Sequence, residues 1–239
     1  MKLDVLAIGA HPDDIELTCG GTLIKLGKQG KRVGIVDLTE GELGTRGTPE
    51  IRAAEAAEAA RILGAAVREN LAITDGNIEN NPDNRRKLIV AIRKYRPDVV
   101  LIPHMPDRHP DHEHAHILCK ESCFYAGLER IETDADGMQQ KPFRPRALYH
   151  YMQWFEFVPS FIVDVSDEYE QRMSAVRAFR SQFFDPASRE PSTILSTPEF
   201  MDLVRTRLEY YGDRIGRRHG EAFFSVAPLC VNDIWSLNT

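Results

Sequence analysis

Two patterns of apolar and polar positions alternate along the chain. Near-continuous apolar runs occur at "LDVLAIGA" (3–10), "RVGIVDLT" (32–39) and "DVVLIPH" (98–104). Runs this short and this uniformly apolar predict strands buried on both faces. Between them the apolar positions recur at helical spacing. Residues 15–29 read as a helix ending at Gly30, and "PEIRAAEAAEAARILG" opens with Pro49 and closes at Gly64, as helices prefer. "DNRRKLIVAIRKYRP" is a helix stopped before Pro97, and "HEHAHILCKESCFYAG" is one closing at Gly127. A weaker strand is expected near "NLAIT" (70–74), and the polar stretch 128–145, with Pro142 and Pro145, reads as a loop. "ALYHYM" and "SFIVDV" look like further strands; "EYEQRMSAVRAFRSQF" and "PEFMDLVRTRLEYYGDRIG" look like helices. Strand–helix alternation of this kind predicts an α/β fold, with a doubly wound, mostly parallel, Rossmann-like sheet and helices on both faces. No repeat, low-complexity tract or composition shift marks a boundary, so residues 1–239 are expected to form one domain.

Candidate chemistry collects at two places. The first apolar run ends in "GAHPDD", with His11, Asp13 and Asp14. The run at 98–104 ends in "PHMPDRHPDHEHAH" (103–116), which holds His104, His109, His112, His114 and His116. If the strand near 70–74 is the third, the run at 98–104 is the fourth. In a sheet of order 3-2-1-4-5 the first and fourth strands are neighbours whose connections diverge, and ligands bind outside their carboxyl ends. The two motifs are therefore expected to face each other across one crevice.

The residue types in that crevice fit a hydrolytic metal site. Catalytic zinc commonly takes three protein ligands and leaves one position for water. His11 and Asp14 can supply two from one turn, and a histidine from 109–116 the third. Adjacent residues at a helix start point about 100° apart. One of Asp13 and Asp14 can therefore bind the ion while the other activates water as a general base. Taken singly, each motif has a plainer reading, an acidic first turn favoured by the helix dipole or a solvated helix start. Other site types lack their signatures: there is no GxGxxG after the first strand, no GxxxxGK[ST] loop and no GxSxG elbow.

Composition narrows the setting. A chain of 239 residues, 42% hydrophobic and 28% charged, is long enough for a large core and ordinary for a soluble globular protein. Its 30 Lys+Arg against 36 Asp+Glu leave a net charge of −6, which disfavours nucleic acid as a partner. No stretch is apolar for long enough to span a membrane, and the N-terminus has no cleavage pattern, so a cytoplasmic protein is expected. Cys19, Cys119, Cys123 and Cys230 form no CxxC pair and are expected to be buried free thiols.

With "AHPDD" and "HPDH" both read, the chain resembles the LmbE-like (PIG-L type) zinc deacetylases, which remove acetyl from N-acetylglucosamine derivatives. The likeness extends through "GELGTRGTPEIRAAEAAEAARILG" and "GRRHGEAF". It is greatest to the bacillithiol-biosynthesis branch, whose substrate is N-acetylglucosaminyl-malate. The resemblance implies His11, Asp14 and His112 as ligands of one Zn²⁺, with Fe²⁺, Mn²⁺ or Co²⁺ also suited to such a set. It implies Asp13 as general base, His109 as oxyanion stabiliser or acid, and Asp111 as the partner orienting His109. It sets Arg52 near the substrate, where it meets a carboxylate such as malate's; the alternative is a surface pair with Glu55. The same resemblance implies a small-molecule N-acetylated amino sugar as substrate and a homo-oligomer, a hexamer in relatives. It assigns no role to His114 or His116, and no physical role emerges for Arg217, His219 or Glu221.

Overall fold

The structure, a computed structural model, describes residues 1–235. Strand β1 (Val5–Gly9) is buried at every position. Its side chains alternate between two cores. Leu6 and Ile8 pack with α4 (Pro82–Tyr95) and α5 (Pro110–Tyr125) on one face. Val5 and Ala7 pack with α1 (Asp14–Thr18), α2 (Gly20–Lys28), α3 (Pro49–Leu63) and α6 (Tyr169–Ala178) on the other. This two-sided burial is why the strand reads as an unbroken apolar run. Helix α7 (Pro198–Asp213) adds Phe200 and Val204 to the second core.

Six more strands complete the main sheet: β2 (Val33–Asp37), β3 (Val67–Asn70), β4 (Val99–Pro103), β7 (Ala147–Tyr151), β8 (Phe161–Asp164) and β9 (Gly220–Phe224). Their order is β3-β2-β1-β4-β7-β9-β8. The pairs from β3 through β7 are parallel, and β9 is antiparallel to both its neighbours. The doubly wound, mostly parallel arrangement expected from the alternation is the one found. Among the described residues no helix is long and apolar enough to cross a membrane.

Several local expectations change. The third strand lies at 67–70, just before the predicted 70–74. Its polar appearance comes from Arg68, which is buried in a bidentate pair with Asp37 (2.6 and 2.9 Å) and reaches Glu16 at 2.6 Å. The helix at 15–29 is broken at Cys19 into α1 and α2. The break lets the first turn of α2 close on Glu221, whose carboxylate accepts from the Gly21 and Thr22 N–H groups (2.9 and 2.7 Å) and the Thr22 hydroxyl (2.6 Å). Glycine is required here, since a Cβ on residue 21 would lie 2.9 Å from both Glu221 and Val165. Strand β9, which carries Glu221, had no predicted element. In the stretch read as a loop, β5 (Asp134–Ala135) and β6 (Met138–Gln139) form a small hairpin. The helix expected over 168–183 stops at Ala178. Of the cysteines, Cys19, Cys119 and Cys123 are buried free thiols as expected, whereas Cys230 is exposed.

His150, on β7, is buried against His104, His116 and Phe224 with neither ring nitrogen hydrogen-bonded. Burial, with the nearby His116, His104 and Lys120, lowers its pKa from 6.5 to about 3. The unfolded chain therefore takes up this proton first, and stability is lost as pH falls from 6.5 towards 3, at up to about 1.4 kcal/mol per pH unit. His150→Gln is expected to flatten the fall in urea midpoint between pH 7 and pH 4.5. An unaltered slope would show that the ring does not act in this way.

Candidate active site

The chain leaves β1 through a tight turn in which the His11 N–H donates to Asp14 Oδ2 (3.0 Å) and the Asp14 N–H to the His11 carbonyl (3.3 Å). Asp13 sits between them at φ 120°, a conformation costly for a side-chain-bearing residue, by about 1–3 kcal/mol. It precedes α1 without capping it. Its carboxylate instead meets Arg52 Nη2 at 3.3 Å. Arg52 projects from α3, is buried, and donates to the Pro12 and Gly41 carbonyls (2.7 and 3.0 Å). Gly41 leaves room for it, since a Cβ there would lie 1.9 Å from Arg52 Nη1. The surface pairing of Arg52 with Glu55 does not form; Glu55 binds the Ser181 N–H and hydroxyl.

The second half follows β4. His109 is the N-cap of α5, and its Nδ1 accepts from the Asp111 N–H at 3.2 Å. His112 lies one turn on, with Nδ1 2.7 Å from Asp107 Oδ1 and Nε2 3.3 Å from Asp14 Oδ1. His11 Nε2 stands 3.1 Å from Asp75 Oδ1 and 3.3 Å from Asp111 Oδ2. Ligand atoms of His11, Asp14 and His112 lie within 4.8 Å of one another, so this group could hold a metal ion; His11, His109 and Asp111 form a second such grouping. Carboxylates hydrogen-bonded to the far nitrogens of both imidazoles are the arrangement that fixes tautomer and orientation in metal-ligating histidines.

The charges are tightly coupled. Burial opposes protonation of His11, but hydrogen bonds to Asp111 and Asp75 and the charge of Asp14 outweigh it and raise the pKa to about 10. His112 likewise rises to about 9 against burial, through Asp14 and Asp107. Burial pushes Asp14 up, and His112 and His11 overcome it, holding Asp14 well below the usual carboxylate range. Asp13 goes the other way: burial and the neighbouring Asp14 exceed the opposing pull of Arg52 and raise it to about 7. Burial, then the charges of His11 and His112, lowers His109.

All seven sequence-predicted residues, His11, Asp13, Asp14, Arg52, His109, Asp111 and His112, thus meet in this crevice. One pairing differs from the family expectation. The Asp111 carboxylate contacts His11 and accepts from the Gly76 N–H (2.8 Å), while its backbone N–H, not its carboxylate, holds His109. His114 is exposed, and His116 binds the Pro103 carbonyl and faces His150, away from His112. The sequence reading missed Asp75 and Asp107. Asp107 lies within the histidine-rich motif and carried a signal; Asp75, in the loop after β3, carried none. Glu221, for which the sequence suggested no role, lines the same cavity of about 430 Å³ and pairs with Arg172 (Nε–Oε1 2.9 Å) beneath α1.

Known proteins share this architecture. The PIG-L family, described as GlcNAc-PI de-N-acetylase, matches residues 6–123. Diacetylchitobiose deacetylase of Thermococcus kodakarensis is 33% identical over 95% of this chain and 85% of its own length. The crystal structure of the conserved protein TT1542 from Thermus thermophilus superposes with a TM-score of 0.86 at 39% identity, covering 97% of this chain and 98% of that one. N,N'-diacetylchitobiose deacetylase from Pyrococcus horikoshii, complexed with its inhibitor MPG, gives 0.79 at 30% identity, covering 94% and 83%.

Asp75→Asn removes the charge that holds His11 Nε2 while keeping the side chain's size. It is expected to weaken Zn²⁺ binding by about 10–100-fold and, because Asp75 also balances the charged His11, to lower the thermal stability of the metal-free protein. Titration calorimetry checks this; parent-like affinity would show that Asp75 does not orient His11.

Proposed function

The chain belongs to the PIG-L family of de-N-acetylases, and from that premise we propose that it is a metal-dependent hydrolase removing the N-acetyl group from an N-acetylglucosamine derivative. The observation that carries this reading is the convergence of His11, Asp14 and His112 beside an uncapped, Arg52-paired Asp13. The finer substrate in this reading is N-acetylglucosaminyl-malate of bacillithiol biosynthesis. Arg52 lines the cavity, where its guanidinium would meet the carboxylate of such a substrate.

The donor set of two imidazoles and a carboxylate suits Zn²⁺. His11, Asp14 and His112 would hold it. When bound, such an ion supplies Lewis-acid polarisation of the amide carbonyl and acidifies water. Asp13, with its pKa near neutrality, takes the proton of the attacking water. Arg52 keeps that carboxylate aimed into the cavity. Because His109 Nδ1 accepts a backbone hydrogen bond, the neutral ring carries its proton on Nε2 and donates it to the developing oxyanion, help worth a few kcal/mol. Asp13, which holds the water's proton, then passes it to the departing amine, directly or through His109. Asp75, Asp107 and Asp111 orient the two imidazoles. Homo-oligomerisation belongs to the same reading.

The test is acetate release from N-acetylglucosaminyl-malate, diacetylchitobiose and N-acetylglucosamine, with elemental analysis before and after chelation. Chelation is expected to remove turnover and Zn²⁺ to restore it; full activity in the metal-free protein would refute the reading. Asp13→Asn is expected to retain metal and lose about 10²–10⁴-fold in kcat. Parent-like turnover in this variant would displace Asp13 as the base.

A further inference from the structure

The cavity has two chemically different sides, and the strand order fixes which is which. The metal-binding group follows β1 and β4, at the centre of the sheet. Towards β2 and β3 the lining is polar and includes Arg46, Arg52 and Asp75. Towards β7 and β9 it is apolar and includes Leu17, Phe200, Val204 and Leu208. Arg172 on that side pairs with Glu221, and Arg207 donates to the Gln153 and Trp154 carbonyls, neutral acceptors that leave its charge in place. The contacts open to an alkyl chain are those of Leu17, Phe200, Val204 and Leu208. Gln153, 7% exposed, lines the same cavity with a carboxamide that makes no hydrogen bond beyond its approach to the Tyr151 hydroxyl.

An N-acyl amino sugar has matching asymmetry, with a hydroxyl-rich ring on one side of its amide and a hydrocarbon chain on the other. The cavity as a whole, about 430 Å³, is of the size that holds a small-molecule ligand, and a single methyl would touch few of the side chains that line its apolar side. We infer that the apolar side receives the acyl group and that the enzyme hydrolyses N-acyl glucosamines with chains several carbons longer than acetyl. The inference rests on the deacylase reading above and deepens it. The reaction is the same: water adds across the amide, a C–O bond forms, the C–N bond breaks, and a fatty carboxylate and the free 2-amine leave.

The test compares kcat/KM of the metal-loaded parent protein for N-acetyl-, N-butanoyl- and N-hexanoyl-glucosamine. Burial of each added CH₂ is expected to raise it by up to about fourfold until the space is filled. A hexanoyl value at or above the acetyl value supports the inference; a lower one overturns it while leaving deacetylation intact. Hydrolysis of none of the three would instead count against the deacylase reading. Octyl and methyl glycosides of N-acetylglucosamine separate the acyl group from the aglycone. A larger gain from the octyl aglycone than from the hexanoyl amide would place the aglycone on the apolar side and overturn the assignment. Val204→Phe, which narrows that side, is expected to lower the hexanoyl-to-acetyl ratio at least tenfold; an unchanged ratio counts against the inference. The parent series stands whether or not this variant folds.

Discussion

Parallel pairing of β1 with β4 is the constraint on which the site depends. Val5, Leu6 and Ala7 pair with Val99, Val100 and Leu101, so two segments more than ninety residues apart end side by side. Their continuations then separate, α1 to one face and α5 to the other. The gap between the diverging chains is the crevice, and His11 and His112 reach into it from opposite walls. Neither half of the site has the means to form alone: Asp14 is positioned by its own turn, but the groups that balance its charge arrive from α5.

Within that crevice, charge takes precedence over backbone comfort. Asp13, Asp14, Asp75, Asp107 and Asp111 are all buried around two imidazoles and one guanidinium. The crowding drives the two histidines towards the charged form and Asp13 towards the neutral one. Asp13 also keeps a disfavoured φ. Such a concentration of displaced acidities and strain persists only where surrounding hydrogen bonds over-determine the geometry. The turn bonds between His11 and Asp14 and the Arg52 bridge from Asp13 to the Pro12 and Gly41 carbonyls do this holding.

Much of this was legible in the amino-acid order because the relevant signals are short and local. The apolar runs at 3–10, 32–39 and 98–104 report burial on both faces, and the strand order follows from their alternation with helices. His11, Asp14 and His112 sit in motifs immediately after two of those runs. What escaped notice acts over long separations. Arg68 made β3 look polar because its partners, Asp37 and Glu16, come from other elements. Asp75 lies in an unremarkable loop and gains meaning only from His11, 64 residues away. The break at Cys19 has a local mark in Gly20 and Gly21, but the acceptor for the N–H groups that follow it, Glu221, lies about 200 residues on.

That last contact has a consequence for how the molecule comes into being. Glu221 anchors the start of α2 across 200 residues of sequence. A ribosome therefore delivers the aspartates of the first turn long before the carboxylate that seats the following helix. The earliest-made wall of the crevice is finished by β9, made long after it. A nascent or C-terminally clipped chain would carry every acid and imidazole of the crevice and still lack the keystone that sets their floor.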